Sequence, residues 1–116
     1  MSFRAVTRRN GDVTVVDVAG QITSDEAGAL HDLLHDLFAK GQRNILLNLA
    51  EVTHLDSSGI GELVRIHTKF CRDGGSLKML QLSARVQDLL RRINLYTVFE
   101  DYPDENEALK SFGKSA

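Results

Sequence analysis

The feature that most constrains this chain is the run Asn44-Ile45-Leu46-Leu47-Asn48-Leu49, which is apolar on both alternations of an extended backbone. A strand sends successive side chains to opposite faces, so a strand that is apolar on both must be covered on both. The run therefore belongs at the centre of a sheet with helices over one face and close packing on the other.

The segments on either side fit that demand. Residues 3–8 and 13–19 flank Asn10-Gly11, a pair suited to the tight primed turn of a hairpin, and Val13, Val15, Val16 and Val18 make the second arm strongly β-prone. Gly20 is expected to end that arm. Thr23 and Glu26 have capping-box spacing, which predicts a helix whose core stripe is Ala27, Leu30, Leu33, Leu34, Leu37 and Phe38, with Gly41 as its stop.

Beyond the central run, a short connection leads past Leu55, near which the strand ends, to Asp56-Ser57-Ser58-Gly59. There a second helix opens, with Ile60, Leu63, Val64, His67, Phe70 and Cys71 on its apolar stripe and Gly74-Gly75 at its end. Residues 77–82 read as a strand, and Ser83 as the cap of a short helix carrying Val86, Leu89, Leu90 and Ile93, stopped at Asn94. Residues 96–100 are expected to form a last short strand. Asp104 and Glu107 repeat the capping spacing before Ala108, Leu109 and Phe112, on a helix that covers the C-terminal side of the domain. The order predicts an α/β fold: one domain, residues 1–116, with a mixed sheet of about four to five strands covered by about four helices.

Composition narrows the function classes. With 116 residues the chain suits one core, and 42% hydrophobic and 26% charged residues with a single Pro argue for a folded domain. A net charge of −2 leaves no basic footprint for nucleic acid or an anionic membrane, so a protein or small ligand is the expected partner. Cys71 is the only cysteine, which excludes an internal disulfide and a four-thiolate metal site and suits a reducing cytoplasm. The first residues run directly into a strand pattern without a signal-peptide profile, and no apolar run approaches the ~20 residues that span a bilayer.

The junction at residues 55–61 concentrates the chemistry. Two hydroxyls and a carboxylate sit where helix amides lack partners and a partial positive charge points outward. One reading is purely structural, with Asp56, Ser57 or Ser58 capping the helix and glycines easing the turn. The other is regulatory: a phosphate on one serine adds nearly two negative charges and three acceptor oxygens at a helix end that tolerates an anion. Such a change would switch binding and leave the fold intact.

Other candidates are weaker. His31 and His35 have metal-compatible i,i+4 spacing but lack the glutamate of the HExxH pattern, and read as a solvated helix flank. His54 lies two residues before Asp56, where partner contact and simple strand-edge packing are both open. His67 and Cys71 read as core side chains. Neither serine sits in a Gly-x-Ser-x-Gly elbow, Gly59-x-Gly61 is no dinucleotide fingerprint, and no Gly-Lys-Ser loop exists, so the chain is read as a non-enzyme without cofactor or metal. Arg85, Arg91 and Arg92 form a small basic cluster interrupted by Asp88, read as a solvated face.

Taken together, Gly20-Gln21-Ile22, Asn48-Leu49 leading into His54-Leu55-Asp56-Ser57-Ser58-Gly59-Ile60-Gly61, and Gly74-Gly75-Ser76-Leu77-Lys78 resemble the anti-sigma factor antagonist family of STAS domains. The likeness runs through essentially the whole chain. It implies a partner-switching protein that binds an anti-sigma factor with serine kinase activity, is inactivated by phosphorylation of Ser57, and is restored by a metal-dependent serine phosphatase. By the same resemblance Asp56, Ser58, Gly59, Ile60, Gly61 and Thr23 belong to the partner-binding surface. The chain departs from the family where acidic residues are frequent, carrying Gln21 and Thr23 instead. That departure keeps an alternative in view: a non-switching STAS subunit of a signalling scaffold or of a lipid-transport ATPase complex.

Overall fold

The computed structural model describes residues 3–92 and 101–113. In chain order the elements are β1 (Phe3–Asn10), β2 (Val13–Ile22), α1 (Ser24–Ala39), β3 (Asn44–Leu55), α2 (Ser57–Arg72), β4 (Ser76–Leu80), α3 (Ala84–Arg92), β5 (Asp101–Tyr102) and α4 (Glu105–Gly113). They form one five-stranded sheet in the order β1-β2-β3-β4-β5, with β1 antiparallel to β2 and all other pairs parallel. The predicted mixed α/β fold and the central place of β3 are both borne out.

Its two faces are covered differently. Ile45, Leu47 and Leu49 of β3 join Val16, Leu77 and Met79 in a large core under α1, α2 and α3. Val13, Val15, Leu46 and Leu80 form a smaller core on the opposite face, closed by Ala108 and Phe112 of α4. Lys78 is buried there as well. Its Nζ donates to Ser111 Oγ at 2.9 Å and stands 4.9 Å from the centre of the Phe112 ring, so its charge is met by a hydroxyl and an aromatic face. Beside this core, Arg8 of β1 pairs with Asp17 of β2 (2.7 Å) and Glu105 of α4 (2.7 Å), and Asn48 donates to Asp17 (2.8 Å).

Several local expectations need correction. The hairpin loop is Gly11-Asp12, closed by the Asn10–Val13 pair, with Gly11 at φ +65°, the first turn position that favours glycine in a II′ turn. Strand β2 does not stop at Gly20 but runs to Ile22, while β3 ends at Leu55 as expected, though without a separate connection after residue 49. Local polarity hid this extension, because pairing between the two strands supplies it. Asp17 pairs with Asn48 but Ala19 with Glu51, and Gly20 with Val52 but Gln21 with His54, so β3 gains a residue on β2 at each step. Asn48 Oδ1 accepts the Ala50 amide beside the first bulge.

On α2 the buried stripe is Gly59, Ile60, Leu63, Ile66 and Phe70. Cys71 is exposed and His67 half-buried, so the expectation of a core pair is wrong; Ile66 takes the position next to the sheet. Ile60, Leu63 and Phe70 are buried as expected, and Ile66 takes the place that the expected stripe gave to His67. Strand β4 ends at Leu80, earlier than residue 82, because Gln81 takes the left-handed conformation (φ 58°) and turns the chain toward α3. The expected strand over residues 96–100, Ile93 and the helix stop at Asn94 lie outside the described residues.

Candidate functional site

The site is built by the register of β2 and β3. Gln21 pairs with His54 and Ile22 with Leu55, so both strands deliver their chains to the same edge of the sheet, where each starts a helix at once. Thr23 is the N-cap of α1, and its backbone amide donates to Glu26 Oε1 at 3.1 Å. The Thr23 hydroxyl also bonds that carboxylate, and together the two bonds hold the Glu26 carboxyl below its ordinary range. The expected capping box is therefore present, and Thr23 is occupied by it.

Asp56 is the N-cap of α2. Its backbone is extended, and its Oδ1 accepts the Gly59 amide at 2.8 Å while its carbonyl accepts the Ile60 amide at 2.9 Å. Of the two serines, then, neither caps the helix. Ser57 occupies the first helical position and Ser58 the second, both exposed. Among the described residues no acceptor or donor engages either hydroxyl. The first turn of α2 carries no acidic residue, so the Asp56 cap supplies the carboxylate at the positive helix end beside Ser57.

Two residues expected on the partner-facing surface are placed elsewhere. Ile60 is 1% exposed and belongs to the large core. Gly59 is buried because the helix starts against β2: a Cβ there would collide with the Ile22 carbonyl oxygen. Both form the floor beneath the serines and cannot contact a partner with side chains of their own. Gly61 is exposed, and a methyl group added to it would meet nothing within 4 Å, so it leaves an open flank beside Ser57 and Ser58. The accessible part of the site is Asp56, Ser57, Ser58 and Gly61, with His54 exposed on the preceding strand and Thr23 half-buried on the neighbouring one.

The histidine pair of α1 stays apart from this edge, beside the C-terminal half of α2. The rings of His31 and His35 stack at 6.2 Å on α1, and no cluster of three potential metal ligands exists among the described residues. Arg92 pairs with Asp88 at 3.4 Å on α3. No helix among the described residues is long and apolar enough to cross a membrane. The sequence did not reveal that β3 and α3 share a wall, since no local pattern links residues 52–55 to residues 83–92.

Comparison with known proteins agrees with this geometry. The family model described as the STAS domain matches residues 4–108. An anti-sigma-B factor antagonist of Bacillus subtilis is 30% identical over 86 residues, 74% of this chain and 78% of that protein. Among solved structures, an anti-sigma factor antagonist from Mycobacterium paratuberculosis superposes with a TM-score of 0.82 at 22% identity, covering 95% of this chain and 93% of that one. The Bacillus cell fate determinant SpoIIAA in its phosphorylated form superposes with a TM-score of 0.70 at 17% identity, over 96% and 99% of the two chains. At these identities the structures speak for the fold alone.

Proposed function

Since the chain belongs to the STAS domain family, we propose that it is an anti-sigma factor antagonist, a cytoplasmic partner-switching protein whose control point is Ser57. The unphosphorylated form docks an anti-sigma factor with serine kinase activity through the exposed start of α2. Phosphate on Ser57 breaks that complex, and a serine phosphatase reverses the mark. The reading is supported by the relative of the same kind, an anti-sigma-B factor antagonist.

The observation that carries it is the division of labour between Asp56 and Ser57. Asp56 holds the helix start through the Gly59 amide, so Ser57 is left exposed with its hydroxyl unengaged. A phosphate there adds close to two negative charges at the positive end of a helix, which stabilises the modified fold while changing the centre of the docking surface. The Asp56 carboxylate stands beside it, so the phosphate concentrates negative charge at the docking surface.

Pull-downs with the cognate kinase test the switch. Ser57→Ala should bind as the unmodified chain does and resist inactivation by ATP, while Ser57→Asp should bind about tenfold more weakly or worse. Equal binding by Ser57→Asp and the unmodified chain would reject the proposal. Gln21 and Thr23, where family members are often acidic, favour one alternative: a non-switching subunit of a signalling scaffold or of a lipid-transport ATPase complex. Co-purification of an ATPase transporter in place of a kinase would establish it.

A further inference from the structure

The last residues of β3 and the length of α3 enclose a cleft of about 340 Å³ on the same edge of the sheet as Ser57. That volume falls within the ~300–1,000 Å³ of small-molecule sites. Its floor is apolar, made by Val52, Leu55, Val86 and Leu89. Its other walls are polar, with His54, Ser83, Arg85 and Asp88 among them.

The polar groups differ in how far they are already committed. Arg92 also lines the cleft, but Asp88 offsets its charge at 3.4 Å. Thr53 Oγ1 donates to the Gly20 carbonyl at 3.3 Å. Ser83 Oγ accepts the Val86 amide at 3.2 Å, which leaves its hydrogen free to donate outward. Arg85 is exposed and has no hydrogen-bond or ion-pair partner among the described residues. An uncommitted guanidinium, a hydroxyl hydrogen and an imidazole therefore line one cleft with an apolar floor.

We propose that this cleft binds a small phosphate monoester with an apolar or ring-shaped body, the body resting on Val52, Leu55, Val86 and Leu89 and the phosphate at Arg85. Three phosphate oxygens match the three donor groups, and Arg supplies a planar fork suited to phosphate. A carboxylate would leave a donor unused, and a bare phosphate would leave the floor wet. The site is independent of any modification at Ser57, because it needs only the unmodified chain.

The test is titration of the isotope-labelled full chain with phenyl phosphate, inorganic phosphate and benzoate, followed by amide NMR shifts. Phenyl phosphate should give saturable shifts at residues 52–55 and 86–89, and the other two should bind at least about tenfold more weakly. Arg85→Gln should weaken phenyl phosphate about tenfold, while Arg72→Gln, an equal loss of charge on the far end of α2, should leave it unchanged. Four outcomes would overturn the proposal: no saturation below about 10 mM, shifts centred on residues 57–59, equal affinity for benzoate or bare phosphate, or an Arg85→Gln chain that binds normally.

Discussion

The carbonyl oxygen of Ile22 occupies the space that a side chain on Gly59 would need. The glycine two residues after Ser57 is thus what lets α2 begin against the end of β2, and it ties the geometry of the candidate site to the register of the sheet. Leu55 closes the same gap from the other side, its Cδ1 2.8 Å from the position a Cβ would take. Replacing Gly59 by alanine must move backbone, not merely a flexible side chain. We expect Gly59→Ala to cost about 1–3 kcal/mol, as overpacking of a tight core does. Gly61→Ala meets nothing within 4 Å and should be neutral or stabilising by up to about 1 kcal/mol through helix propensity. Urea unfolding of the two variants separates a glycine required by packing from one that is only near the site.

Asp56 contributes to stability as a cap, through its bond to the Gly59 amide. Asp56→Ala should lose about 1 kcal/mol, whereas Asp56→Asn should keep nearly all of it, because asparagine caps as well as aspartate. Denaturant midpoints at constant slope check this. A loss in Asp56→Asn equal to that in Asp56→Ala would show that the charge, and not the hydrogen bond, holds the helix start.

The Arg8 cluster should give the fold an acid-sensitive fastening between β1, β2 and α4. Arg8, with help from Asn48, holds the Asp17 carboxyl below its ordinary 3.8, and Arg8, with help from Asn10, holds Glu105 below 4.5. Carboxyls depressed in the folded state contribute stability that is complete above those ordinary values and is lost as pH falls through the lower folded ones. Solvent screening of these partly exposed groups limits Glu105 to about 0.5–1 kcal/mol. Glu105→Gln should therefore lose that amount at pH 7 and progressively less as pH falls through the depressed range of the folded carboxyl. Asp101 runs the other way, since burial pushes its carboxyl up, so the difference between Glu105→Gln and the unmodified chain is the quantity to read at each pH.

Cys71 lies on the surface of α2, with its sulfur 3.9 Å from the His67 ring. A thiol reagent added to the native protein should modify it at once and to completion, without denaturant. Protection until unfolding would restore the core position that the sequence suggested.

Much of the fold was legible because its signals are local. The doubly apolar run at residues 44–49, the Thr23–Glu26 spacing and the Ser83 and Asp104 caps each specify an element from a few neighbouring residues, and the structure contains them. What escaped depends on pairing across distance. The bulges between β2 and β3, the packing that buries Ile66 and exposes Cys71, and the cleft between β3 and α3 are set by partners far away in the chain. For the candidate site, the sequence singled out the junction but not who caps it. The helical stripe already put Ile60 in the core, but nothing local showed that Gly59 lies against the Ile22 carbonyl.

The most direct test of the account is to incubate the full chain with the cognate kinase and ATP and to map the added phosphate by mass spectrometry. We expect one phosphate per chain, on Ser57, and none on Ser57→Ala. A stoichiometric phosphate on Ser58 or elsewhere, or modification of Ser57→Ala to the same extent, would contradict the claim that Ser57 is the control point.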